Sequence, residues 1–407
     1  MYQDLLPPLT TRTLVGDPEF DRFCSGVFSS MSRRDQRHKG AAYVAGLLRA
    51  QGRKSLQNIA SATGLPGVNE QSLHHFVSDS NWSWRTVRQD LARELSVADS
   101  ADALVVHDAT RVSGASSRPT TPGNEHRNRA RPQGMSGLWA ASSAGSYALT
   151  WWRNAEVPAS EALRHTNGAP VPHRPERLLI EAYRDMTAGA NHPVPLVVDA
   201  REMSSSRLLR GIGGSVPALL RVRPGQLAWP TSPAGPVSRR PISVQQLALS
   251  NSHLRRVVNG GERGGPGQLT LRLGLQLPER IAEAPAGSAE PLTAELFCLG
   301  APRRMWPQQY WVAWGPRLDL DLQVYLTSLH EQVAREAGTA ARSLGVDDYR
   351  GRTCSGVHRH ATLVGVAQAY WSAHLARTGD GHRGPAGPDL EGSTEIGPLP
   401  CRCGQAE

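Results

Sequence analysis

Residues 103–108 read Ala-Leu-Val-Val-His-Asp, and residues 195–199 read Pro-Leu-Val-Val-Asp. Each is a short aliphatic run closed by an aspartate. Runs this short suit strands better than helices, and their valines fit a pleated, buried surface. A strand apolar on both faces belongs inside a sheet covered by helices, so the two runs point to an α/β fold. Around them the pattern continues consistently. Segments 135–142 and 147–153 form a hairpin about Ala144-Gly145-Ser146, and 174–186 is a helix. After the second aspartate come a helix over 204–210 and a strand over 218–222.

Working outward, the first hundred residues read as helical. Segment 32–51 carries Tyr43, Val44, Leu47 and Leu48 on one face. Segments 55–63 and 69–77 flank a Pro66-Gly67 turn, with Arg53 and Lys54 at its mouth. That is the outline of a helix-turn-helix, a plain helical bundle being the alternative. A further helix spans 83–95. Residues 223–305 break the rhythm with Pro- and Gly-rich links and an alternating run over 268–277, a β-rich insertion. A strand over 310–314, a long helix over 321–344 and a final helix over 360–375 follow. The tail from 379 is rich in Gly, Pro and charge, a composition of disorder. The expected organisation is therefore a helical, DNA-binding domain over 1–100 and a core over 101–222. The insertion over 223–305, the last core elements over 306–378 and the tail over 379–407 complete it.

Composition narrows the function. The 407 residues hold 45 basic and 36 acidic side chains, a net charge of +9, and all basic residues but Lys39 and Lys54 are arginine. Arginine presents a planar fork of donors suited to phosphate. Five of them, Arg111, Arg118, Arg127, Arg129 and Arg131, fall in a polar stretch directly after Asp108 that holds one acid, Glu125. No apolar run is long enough to span a bilayer, and the N-terminus lacks a signal pattern. Cys24, Cys298, Cys354, Cys401 and Cys403 are scattered and odd in number, which argues against a disulfide framework. Cys401 and Cys403 make a weak metal signal with no second pair nearby.

Asp108 and Asp199 are the informative pair. Carboxylates at the ends of neighbouring strands converge on the crevice where α/β sheets bind ligands, and oxygen ligands suit Mg²⁺. Each could equally be a turn former or a helix cap.

The chain resembles bacterial insertion-sequence transposases of the DDE superfamily from about Phe20 to His374. The resemblance rests on Gly52-Arg53-Lys54-Ser55 and on the run from Gln71 to Trp82 (QSLHHFVSDSNW). It rests also on Val105-Val106-His107-Asp108-Ala109-Thr110, on Val197-Val198-Asp199-Ala200, and on Gly345-Val346-Asp347-Asp348-Tyr349 with Arg359-His360. It implies an RNase H-like mixed sheet with an N-terminal helical domain and a β-rich insertion. It also implies strand cleavage and transfer at transposon ends, catalysed by Asp108, Asp199 and a helix-borne glutamate holding two Mg²⁺ (or Mn²⁺) ions. Counting back from Gly345 places the third carboxylate near Ala334, so Glu336 is the first choice and Glu331 the second. The implied partner is double-stranded DNA, at transposon ends and target, with a homodimer as one assembly and a cytoplasmic, nucleoid-associated location. Arg53, Lys54, Arg201, Arg207, Arg210 and the five arginines after Asp108 are its expected contacts.

The sequence also departs from that family. His107 and Ala109 flank the first aspartate, Arg201-Glu202 follow the second, and the lysine usual after the glutamate is missing. These departures support an alternative, a transposase-derived protein with a degenerate site that binds or regulates DNA or serves other chemistry. His358 and His360 are read as a loop leading into the last helix. Trp151, Trp152, Trp311 and Trp314 are read as strand core.

Overall fold

A computed structural model describes residues 14–108, 135–153, 175–232, 235–236, 240–260, 265–277, 292–300, 307–316, 318–349, 351 and 353–378. Five helices open the chain: α1 (Pro18–Val27), α2 (Arg34–Arg49), α3 (Leu56–Thr63), α4 (Glu70–Ser78) and α5 (Trp84–Glu94), with a short α6 (Val97–Ser100). Local chemistry sets their ends. Asp17 accepts from the Glu19 and Phe20 amides ahead of Pro18, Ser55 caps α3, and Asn69 with Ser72 forms a capping box on α4. Gly64 ends α3 at φ 64°, a left-handed conformation that glycine adopts without strain.

The strands are β1 (Ala103–Asp108), β2 (Met135–Ser142), β3 (Gly145–Arg153), β4 (Leu196–Asp199), β5 (Ala218–Val222) and β6 (Leu227–Ser232). Then follow β7 (Gly235–Pro236), β8 (Ile242–Ser243), β9 (Arg256–Gly260), β10 (Gly265–Leu277), β11 (Leu292–Gly300) and β12 (Gln309–Trp314). Interleaved helices are α7 (Pro175–Met186), α8 (Ser205–Ile212), α9 (Val244–Ser250), α10 (Leu320–Ser343) and α11 (Cys354–Thr378). They build one mixed sheet in the order β3-β2-β1-β4-β5-β12-β11-β10-β6-β7, with β8 on β6 and β9 on β10. β1, β4 and β5 run parallel at its centre, and β2 and β3 extend it antiparallel. This is the RNase H-like arrangement. The insertion does not leave the sheet: β10 and β11 join β12 and continue it past β5.

Strand alternation divides the core in two. Val105, Val197, Leu219 and Trp311 face α10, α11 and the N-terminal helices. Leu104, Val106, Leu196, Val198, Leu220 and Val312 face α7, α8 and α9. The N-terminal helices share the first of these apolar layers with the sheet, so the expected boundary at residue 100 separates segments of chain and not cores.

The stretches behind the resemblance meet here. Arg359 is buried in α11 and donates to the carbonyls of Val77, Ser78 and Trp82, closing the C-terminal end of α4. His360 bonds Tyr43 and the Gly345 carbonyl, and Tyr349 bonds Ser78. The Lys54 amide donates to Asp348 at 2.7 Å. His358 and His360 lie inside α11 and not on a loop, because the last helix begins six residues before His360. Trp151, Trp152 and Trp311 are buried strand residues, as read from the sequence. No helix among the described residues is long and apolar enough to cross a membrane.

Candidate active site

β1 and β4 are neighbours, as the convergence of the two aspartates requires. Their register is Leu104↔Leu196, Val105↔Val197, Val106↔Val198. Continued by one residue, it sets His107 level with Asp199; Asp108 ends β1 one step on, and its side chain lies outside the described residues. The neighbour of Asp199 on its own face is thus a histidine.

That face carries a polar row across the C-terminal ends of the parallel strands. Asp199 pairs with Arg221 on β5, Arg221 pairs with Trp311 on β12, and His107 pairs with Gly137 on β2. The row needs glycine at 137, because a Cβ there would meet Trp139 and Trp151 at 2.8 Å. From above, α10 lowers His330 onto the row. Its ring centroid lies 5.6 Å from that of His107 and 5.3 Å from that of Trp311. Both nitrogens of His330 are buried without a hydrogen-bond partner among the described residues. Burial, reinforced by His107, holds the His330 imidazole well below its ordinary pKa and therefore neutral at pH 7.

Asp199 is already engaged. Arg201 Nε donates to Oδ1 at 2.8 Å and its terminal nitrogen to Oδ2 at 2.5 Å, a bidentate pair. The Asp199 side chain is 4% exposed and that of Arg201 32%. The hydrogen bond to Asp199 raises the Arg201 pKa further. Arg201, read from sequence as a DNA contact, is thus the partner of the second aspartate. The Arg221 guanidinium sits over the Trp311 ring, 5.9 Å from its centroid.

Neither candidate third carboxylate joins them. Glu336 accepts from Ser146 Oγ at 2.5 Å. Ser146 is level with Ala141 and, through it, with Ala103, at the start of β1. Four residues of strand separate that level from His107, roughly 13 Å. Tyr325, eleven residues before Glu336 and so on the same helical face, likewise reaches Asp102 at that lower end. Burial raises the Glu336 pKa, opposed by the Ser146 bond. Glu331 lies at the correct end but is exposed and accepts from Gln309. His330 is the α10 residue that faces Asp199.

Of the remaining candidates, Arg53 is exposed, with Asp348 at 4.0 Å. Lys54 is buried and its ammonium bonds the Ala50 carbonyl, so it does not present its charge to solvent. Arg207 and Arg210 lie on α8, half-buried and exposed respectively. Arg111, Arg118, Arg127, Arg129 and Arg131 lie outside the described residues. The α3–α4 pair is present with its short turn, and α4 shows Gln71, His74 and His75 to solvent.

The donor set does not suit the divalent ions the resemblance implies. Mg²⁺ takes carboxylates and water at near-octahedral geometry. Among the described side chains, the Asp199 row offers one carboxylate, already paired to a guanidinium, and two imidazoles. No group of three metal-ligating side chains comes together among the described residues.

A central parallel trio extended by an antiparallel hairpin, with its polar row at the strand ends, defines a protein of the RNase H-like nuclease class. The family model described as DDE superfamily endonuclease matches residues 26–250, and the chain belongs to that family. The match takes in both aspartate strands and ends before α10. No curated protein matches the chain.

Proposed function

We propose that this chain is a DNA-binding protein of transposase descent, engaging double-stranded DNA along the C-terminal ends of β1, β4 and β5 without cleaving it. One observation carries the reading: the Asp199 carboxylate is held by Arg201, and the residue beside it in register is His107. Two-metal cleavage needs convergent carboxylates free to bind cations. Here the second aspartate is neutralised, and the helix above it supplies a neutral imidazole. Backbone contacts by arginine position a protein on DNA, and α4 with the β-rich extension is left for sequence reading.

The family match favours a second reading, Mg²⁺- or Mn²⁺-dependent strand cleavage and transfer at transposon ends by Asp108, Asp199 and Glu336 or Glu331. It requires Arg201 to leave Asp199 and Glu336 to leave Ser146. The test is a nicking assay in Mg²⁺ and in Mn²⁺ on a duplex carrying the inverted repeats that flank the gene, beside a binding titration in salt. Steeply salt-dependent binding without nicking is expected. Metal-dependent nicking that Asp199→Asn abolishes establishes the second reading instead.

A further inference from the structure

We propose that the arginines opening α2 and the solvent face of α4 form a second duplex-DNA surface, α2 holding backbone phosphates and α4 meeting base edges. The inference takes its partner from the DNA-binding reading and places it on helices outside the strand-end row, so the two can fail separately.

Residues 31–81 carry seven basic side chains and three acidic ones. Lys54 is buried against the Ala50 carbonyl, Arg53 faces Asp348, and Arg49 closes the far end of α2. The other four gather where α2 begins. Arg33, Arg34 and Arg37 are exposed, Lys39 is half-buried, and His38 is exposed beside them. Arg34, Arg37 and His38 stand three and four residues apart and share one face of the helix. Of these five side chains Arg37 alone makes a hydrogen bond among the described residues, to the Met31 carbonyl. The acids nearby do not cancel the cluster. Asp35 supplies one charge in the same turn, Asp79 lies near buried Arg359, and Asp90 turns inward to the Ser30 amide and Arg93. Cations in a first turn oppose the helix dipole, so α2 gains nothing from them, and an anion placed on them relieves the opposition. Planar arginine forks suit phosphate oxygens.

α4 stands next to this cluster. Gln36, buried in the first turn of α2, donates to Asn81 Oδ1 at 3.1 Å, three residues past the end of α4. Leu73, Phe76 and Val77 bury one side of α4, while Gln71, His74 and His75 are exposed on the other. These side chains donate and accept hydrogen bonds, as base edges require, and glutamine can pair with adenine through two of them. The Asn69 capping box and the Arg359 bonds fix the two ends of α4. Its nine residues span about 14 Å, close to the major-groove width of about 12 Å. A helix of that length seated in the groove brings its end, and the α2 arginines beside it, to the bordering phosphates.

The test is a fluorescence-anisotropy titration of the full chain between about 50 and 200 mM salt. Two duplexes of equal length are compared, one carrying the inverted repeats that flank the gene and one with the same bases shuffled. The wild type is expected to favour the repeat duplex. An Arg33→Gln, Arg34→Gln double variant should weaken binding to both and lower the salt slope by about two, one for each lost phosphate contact. A Gln71→Ala, His75→Ala double variant should cut the preference for the repeat duplex about tenfold at an unchanged slope. All four side chains are exposed, so the fold is not at stake. Arg184→Gln removes an exposed cation from α7, in the other layer, and should bind as the wild type does. A salt slope that survives the loss of Arg33 and Arg34, or that Arg184→Gln lowers as much per charge, overturns the proposal. So does a repeat preference that the wild type lacks or that survives the loss of Gln71 and His75. Absence of any salt-dependent binding by the wild type overturns the DNA-binding reading itself, whereas binding that none of these variants changes removes only this surface.

Discussion

Removing either half of the Asp199–Arg201 pair should destabilise the fold, and unequally. The Asp199 side chain is 4% exposed and that of Arg201 32%. Arg201→Ala takes the bidentate partner from a buried carboxylate, which keeps the 3.3 Å bond from the residue 201 amide and the influence of Arg221 among its contacts. Loss of one partner from a buried pair costs about 3–5 kcal/mol, and the surviving contacts put this case near 3. Asp199→Asn leaves a guanidinium that keeps its contact with water, so the expected cost is about 1–2 kcal/mol. The double variant Asp199→Asn, Arg201→Gln should recover much of the loss, giving a coupling energy of about 1–2 kcal/mol. Urea unfolding followed by circular dichroism measures all three. In a working metal site the signs differ: carboxylates crowded for cations repel one another, Asp199→Asn stabilises the metal-free protein, and Mg²⁺ raises the wild-type midpoint. A stabilised Asp199→Asn variant, or one that costs more than Arg201→Ala, would refute the ion-pair account.

Three further outcomes follow from other parts of the fold. Arg359→Ala removes a buried guanidinium from three carbonyls at the end of α4 and should cost about 3–5 kcal/mol in urea unfolding; a loss below about 1 kcal/mol would mean that the clasp is not structural. Gly137→Ala drives a methyl against Trp139 and Trp151 at 2.8 Å and should cost about 1–3 kcal/mol, read as a lowered thermal midpoint. Burial pushes the Lys54 ammonium down to about 8, against an ordinary value of 10.5. The unfolded chain therefore holds this proton more tightly between those values, and the penalty is complete below about pH 8. Wild-type stability should rise relative to Lys54→Met as pH climbs from about 8 to 10.5, and parallel stability curves for the two proteins would contradict the burial.

The central strands were legible because their residues are aliphatic on both faces, a pattern that only a covered sheet accommodates. The helices over α10 and α11 were legible from their period. The site was harder, because a sheet assigns faces in steps of one residue and a helix in steps of about 100°. Asp108 and Asp199 both close aliphatic runs, yet the runs align as Leu-Val-Val-His on Leu-Val-Val-Asp, and the strands adopt that alignment. Comparing the two strings without an offset would have placed His107 beside Asp199. Counting back from Gly345 fixed a distance along α10 but not its rotation. Glu336 stands six residues from His330, about 240° around the helix, and meets the opposite end of β1. The Arg201 pair had a visible signal too, since a cation two residues after a strand-end carboxylate can fold back onto it.

The resemblance itself lies mostly away from this edge. Arg53 and Lys54 approach Asp348, Ser78 bonds Tyr349, Arg359 closes α4, and Tyr43 holds His360, which also bonds the Gly345 carbonyl. These contacts bind the N-terminal helices to the last helix and the segment before it, and the bonds of Arg359 and of Tyr43 with His360 are buried and costly to leave half made. Such a clasp can persist while the strand ends change, because the two share no side chain. Similarity in those stretches therefore reports the scaffold. The chemistry has to be read from His107, Asp199, Arg201 and His330, where the aspartate that would hold a cation holds an arginine.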